Sequence, residues 1–354
     1  MKRTTGWAWE NVWLVWSAAA LIVTPWIIAC ITVGPLFAVY AKAGTGTIAV
    51  VFLFGVGWGM GAMTFGQSIS ILGMSLAFAI SIGLTLALGS LVPMAVRPAV
   101  FATKGGIVLS AGIALMLAGV AASAWAGSLK EARVAAARGT AARAGAAGAP
   151  PAGSFAKGLT LCILSGLFNP MLNFASTFSD RIKDAARAYE VSAGGAADAV
   201  WAVTLLGGFV SNAVYCALLL TRNRTWTRYR AAGTGLNWLL AVVMGVTWVL
   251  SVSVYGRAVP LLGTLGNSAG WAITMGGCIA ISNVWGIASG EWRDAPGKPL
   301  RTMCAALARE RRHGCMKAGF CHAGGPPGAP GPPCRHHPTA IGLTRAGGPR
   351  SPRS

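Results

Sequence analysis

Residues 43–96 read AGTGTIAVVFLFGVGWGMGAMTFGQSISILGMSLAFAISIGLTLALGSLVPMAV, a stretch without one charged side chain. As helix it would run about 81 Å, against roughly 30 Å of hydrocarbon in a bilayer. That length suits two crossings and a reversal, which the sequence places near Phe65-Gly66-Gln67-Ser68. Outward from it, charges bound six further uncharged runs: 11–41, 105–129, 158–179, 199–221, 231–256 and 258–290. Each suits one crossing. The expected spans are 12–33, 47–64, 69–95, 106–126, 158–178, 199–221, 235–255 and 268–290. The fold class this predicts is an all-α polytopic membrane protein, with about eight transmembrane helices in two four-helix halves.

Composition agrees. Of the 354 residues 54% are hydrophobic and 11% charged, where a soluble domain carries roughly 25% charge. The net charge of +20 does not favour a nucleic-acid partner. Its Lys and Arg sit in short gaps or in the tail and form no basic face interleaved with aromatics. Lys2 and Arg3 before an apolar stretch, with Ile27-Ile28-Ala29-Cys30, loosely resemble a lipoprotein signal. The run is too long for a signal core, and Glu10 with Trp7, Trp9, Trp13 and Trp16 crowds its start, so a spanning helix is expected.

Basic loops set the expected orientation. With the N-terminus inside, the inner gaps before the tail carry eleven Lys and Arg and the outer gaps seven. Residues 1–127 then form the first membrane half and 158–292 the second. Residues 128–157, rich in Ala, Gly and Arg with Pro150-Pro151, read as a flexible cytoplasmic linker. Residues 293–354 change character: all four His and ten of the 18 Pro lie there. A disordered basic Pro/Gly/Arg tail is expected, of the composition that a shifted reading frame in a GC-rich gene would give. Cys315, Cys321, His322, Cys334 and His336 match no standard zinc spacing.

No hydrolytic or redox motif, cofactor or metal is expected; the chemistry is binding and movement. Gly55, Gly57, Gly59 and Gly61 give overlapping small-xxx-small pairs, which bring helices close or wall a cavity. Asn169, Asn173, Asn212 and Asn283 lie in apolar runs, and burying an amide without a partner costs a few kcal/mol. Each either bonds a neighbouring helix or faces a polyhydroxyl ligand, to which an amide both donates and accepts. Trp58, Trp248, Tyr255 and Trp271 either stack on sugar C–H faces or anchor at the interface. The ligand-facing candidates are Trp58, Gln67, Asn173, Asn212, Trp248 and Trp271. No acid lies deep in a span; Asp180, Asp198 and Glu291 sit at edges. Glu10, beside Trp9 and Asn11, is the candidate for proton coupling, with a helix-start carboxylate as the plainer reading.

Several pieces together resemble the bacterial L-rhamnose–proton symporter family, within the drug/metabolite transporter superfamily. These are Trp7-Ala8-Trp9-Glu10-Asn11-Val12-Trp13 with Pro25-Trp26, Phe52 through Gly61, Leu72-Gly73-Met74-Ser75 and Gly83-Leu84-Thr85. In the second half they are Gly207-Gly208-Phe209 through Asn212, Tyr215 and Cys216, then Gly266-Asn267-Ser268-Ala269-Gly270-Trp271 and Gly290-Glu291-Trp292. The resemblance implies ten helices as two inverted five-helix repeats, and uptake of a deoxy sugar with protons across the bacterial inner membrane. It places one helix before the Trp-x-Trp-Glu motif and one after Glu-Trp, so this chain would lack the first and last. The partners implied are a small sugar, protons and the lipid bilayer; the sequence sets no oligomeric state.

Overall fold

A computed structural model describes residues 6–72, 74–139 and 152–288. The tail and residues 140–151 of the expected linker lie outside these, as does Glu291; Asn283 lies where no side chain is described. The described residues form helices and turns with no strand.

Among the described residues eight rods succeed one another. The first joins α1 (Trp9–Ala18), a π-helical turn (Ala19–Val23) and α2 (Thr24–Val33). A short α3 (Leu36–Ala43) leads into α4 (Thr45–Leu72), followed by α5 (Met74–Ala95) and α6 (Lys104–Gly139). In the second half α7 (Ala152–Phe168) and α8 (Met171–Thr177) make one interrupted rod, and α9 (Asp180–Arg187) lies across its end. Then come α10 (Ala193–Arg222), α11 (Gly235–Leu261) and α12 (Gly266–Ala288). Six of the rods are long and apolar enough to cross a membrane; α5 and α12 are 22 and 23 residues long. Ile31, Leu53, Leu218, Val254 and Ile281 point outward, as side chains facing lipid do.

Three expected boundaries move. The helix passes straight through Phe65-Gly66-Gln67-Ser68, ends at Leu72 and resumes at Met74. Its serines satisfy themselves: Ser68 Oγ donates to the Phe65 carbonyl (2.8 Å) and Ser70 Oγ to that of Gln67 (2.7 Å). Helix also enters the presumed linker from each side, to Gly139 and from Ala152. Ala and Arg are strong helix formers. The sixth span starts at Ala193, capped by Ser192 Oγ accepting from Gly195 N (3.1 Å), so Asp198 lies inside a helix.

The two halves interlock, and the broadest helix–helix interface joins α4 to α10. A methyl at Gly55 would fall on the Thr204 carbonyl, and one at Gly59 would lie 2.8 Å from the Gly208 oxygen. Gly57 and Gly61, on another face of α4, meet Met171 and Phe168-Asn169. The glycines of α4 therefore serve two neighbours, each at a spacing of four. Ser211 Oγ adds a bond across the first interface to the Val56 carbonyl (2.9 Å).

Candidate functional site

Proline disturbs two rods, one by a π turn that leaves the helix continuous and one by a break. Pro25 has no N–H to return to the Leu21 carbonyl, and the turn before it opens to π geometry, with Thr24 N–H bonded to Ala19 O. In the fifth rod Pro170 ends α7, and α8 restarts with Asn173 N–H on the Pro170 carbonyl (2.9 Å). Both border one aromatic cluster. Ala20 and Leu21 from the π turn, and Met171 and Leu172 from the break, pack with Trp16, Trp58, Trp201, Trp248, Tyr255 and Trp271.

The rings form a ladder. Trp58 stacks on Trp248 (centroids 5.3 Å, planes 19° apart), and Trp248 meets the edge of Trp16 at 5.5 Å. Trp16 stacks on Trp13 (4.5 Å) and Trp13 on Trp9 (5.1 Å). Across the cluster Tyr255 touches Trp271 and Trp201 at 6.2 and 6.0 Å.

Two amides belong to this cluster. Asn212 donates to the Gly208 carbonyl (2.7 Å) and accepts from Trp13 Nε1 (2.7 Å). Asn173 donates to the carbonyls of Gly89 (2.7 Å) and Asn267 (3.0 Å), and accepts from the Tyr255 hydroxyl (2.6 Å). One carboxamide thus joins α8 to α5, α11 and α12. Trp271 Nε1 donates to the Thr85 carbonyl (3.0 Å), and its ring lies where a side chain at Gly89 would be. These groups suit a polyol: aromatic faces for C–H surfaces, and amides that both donate and accept.

Of the predicted ligand-facing set, Trp58, Trp248, Trp271, Asn173 and Asn212 come together here. Gln67 does not join them. It is half-buried near the end of α4 and donates to the Tyr215 hydroxyl (3.3 Å). Asn169 bonds Ser165 Oγ within its own rod (2.8 Å).

Glu10 is buried, but in a clasp and not in the cluster. Its carboxylate accepts from Asn223 Nδ2 (3.0 Å) and Thr225 Oγ1 (2.9 Å). Asn11 Nδ2 donates to the Thr225 carbonyl (3.0 Å), and Trp7 Nε1 to that of Arg228 (3.1 Å). The Tyr229 hydroxyl donates to the Asn11 carbonyl (3.2 Å); burial pushes that phenol up to about 12, so it stays a donor. The Trp-x-Trp-Glu-Asn stretch binds the strap 223–229 to the start of α1.

Sequence reasoning missed Trp13 and Trp16 as members of the ladder, and Gly89 as the seat of Trp271. The spacing of Trp9, Trp13 and Trp16, by four and then three, puts them on one helical face. That signal was available.

The sequence matches the family described as L-rhamnose-proton symport protein over residues 1–308. The chain belongs to that family. Its L-rhamnose-proton symporter relatives include one from Escherichia coli O1:K1, 26% identical over 310 residues, covering 85% of this chain and 87% of the relative. One from Mannheimia succiniciproducens is 27% identical over 312 residues (86% and 87%), and one from Yersinia pestis 25% over 311 (86% and 87%). No solved structure matches. The match runs past Trp292, so residues 293–308 fall within the symporter stretch. The family is one of proton-coupled sugar symporters. The chain is accordingly a multi-pass membrane transporter and not an enzyme.

Proposed function

We propose that this chain carries L-rhamnose, or a closely related sugar, together with protons into the bacterial cell by alternating access across the inner membrane. The observation that carries the reading is the meeting of a proline-broken rod, a π turn before Pro25, a tryptophan ladder and two amides at one place, in a member of a sugar-symport family. Interrupted helices bordering a shared site are a recurring transporter design. Trp58 and Trp248 supply the stacking faces. Asn212, Asn173 and Trp271 offer polar atoms now engaged with the protein, which sugar hydroxyls would take over. Gln67 serves the approach from the end that holds Arg222–Arg230. The excess of basic residues at that end supports a cytoplasmic N-terminus, linker and tail. Glu10 tightens or releases the clasp there as the carrier alternates; the sequence expectation of proton coupling becomes, on this geometry, a role in gating.

The test is uptake of labelled L-rhamnose by cells without their own carrier. Asn212→Ala and Trp248→Ala should each lower uptake at least tenfold at equal membrane abundance. Unchanged uptake in both would remove the cluster as the sugar site.

A further inference from the structure

A proton symporter needs a carboxylate whose protonation alters the packing of moving parts. Among the described residues two acids are buried: Glu10, 5% exposed, and Asp198, 1% exposed. Glu10 is held by two donors from the strap. Asp198 is held on one side only. Its Oδ2 accepts from Arg257 Nη2 at 2.7 Å, while its Oδ1 is buried with no partner. A buried carboxylate oxygen without a donor is costly.

The surroundings isolate this pair. Arg257 comes from α11 and is half-exposed, so it gives the site a route to water. The neighbouring α2 and α4 contribute no charged residue to α10. On α3 the Tyr40 hydroxyl is committed to the Ala199 carbonyl (2.8 Å), and Lys42 lies over the Tyr189 ring. The remaining charges near this end are Asp180, Arg181, Lys183, Asp184 and Arg187 of α9, Glu190 just after it, and Arg97, which pairs with Asp180 (3.8 Å). Asp184 pairs with Arg187 (2.5 Å), and Lys183 donates to the Ser176 carbonyl.

Position links the pair to the sugar site. The ion pair ties α10 to α11 beside Gly256. A side chain at Gly256 would strike the indole of Trp201, which lies one turn below Asp198. Trp201 touches Tyr255, and Tyr255 donates to Asn173. On the adjacent faces of the same two helices, Ala196, Ala197, Gly256 and Pro260 wall a cavity of about 190 Å³ that reaches Asn267 and Ser176 and is bordered by Arg97, Asp180, Lys183 and Arg187. Loosening α11 from α10 would open that wall and shift Tyr255 against Asn173 in one movement.

We propose that Asp198 is the proton-coupling carboxylate, and that its ion pair with Arg257 is the latch released by protonation. A proton adds to Oδ1 and the carboxylate becomes neutral. Arg257 keeps its charge, loses its counter-ion and turns to water. The inference rests on the proposed sugar–proton symport.

The test uses the full-length chain in proteoliposomes with labelled L-rhamnose, measuring accumulation driven by a pH gradient and gradient-free exchange against trapped unlabelled sugar. The parent should do both. Asp198→Asn should lose accumulation at least tenfold while exchange stays within about threefold and no longer varies with pH. Accumulation by Asp198→Asn equal to the parent overturns the assignment alone. If Asp198→Asn loses both activities, Asp198→Glu decides: recovered accumulation supports a protonatable group, and loss of both again overturns the assignment in favour of packing. A parent that neither accumulates nor exchanges the sugar overturns the symport reading, and the assignment with it.

Discussion

At Asn173 one carboxamide meets a hydroxyl from α11 and backbone carbonyls from α5 and α12. Asn173→Ala would leave two buried polar groups and the half-buried Asn267 carbonyl without it, the buried ones costing about 1–3 kcal/mol each if nothing replaces the bond. The expected outcome is a clear fall in the thermal midpoint of the detergent-purified protein, with Tyr255→Phe falling less because it frees only Oδ1. A midpoint unchanged in Asn173→Ala would show that water already serves these groups. The amide itself was legible, as a polar residue in an apolar run. Its partners were not. Two of the three are backbone carbonyls, which carry no signature in the sequence. Asp198 was misplaced for a related reason. Charge counting put it at the edge of a span, whereas Ser192 caps a helix that begins earlier and carries it indoors.

Among the elements, α4 shows what small residues do when a helix has two close neighbours. Its glycines at 55 and 59 seat α10, and those at 57 and 61 seat α7 and α8. Gly55→Ala would force a methyl onto the Thr204 carbonyl, and overpacking of this kind costs typically about 1–3 kcal/mol. Gly66→Ala, by contrast, meets nothing and gains helix propensity. Thermal unfolding of the two variants should therefore separate them, Gly55→Ala below the parent and Gly66→Ala at or above it; equal midpoints would contradict the close α4–α10 approach. The small-xxx-small pattern was readable from spacing. The continuity of α4 through Gln67 was not, because its serines bond their own helix. The π turn before Pro25 was also hidden, since proline marks a break without fixing how the ladder reopens.

For the whole molecule, eight rods follow from counting uncharged runs, and the described residues form eight, six of them long and apolar enough to cross a membrane. What counting cannot supply is the interlocking of the halves, which depends on α4 meeting α10 across more than a hundred residues of sequence. That interlock places the π turn, the proline break, the tryptophan ladder and the amides in one cluster. The Asp198–Arg257 pair lies on α10 and α11, two of the helices that frame it. If this arrangement moves a sugar with a proton, the pH of a weakly buffered suspension of cells that express the chain and lack their own carrier reports it. Addition of L-rhamnose should alkalinise the medium, and a protonophore should abolish the signal. Sugar entering without any alkalinisation, or no response from a well-inserted protein, would contradict the account.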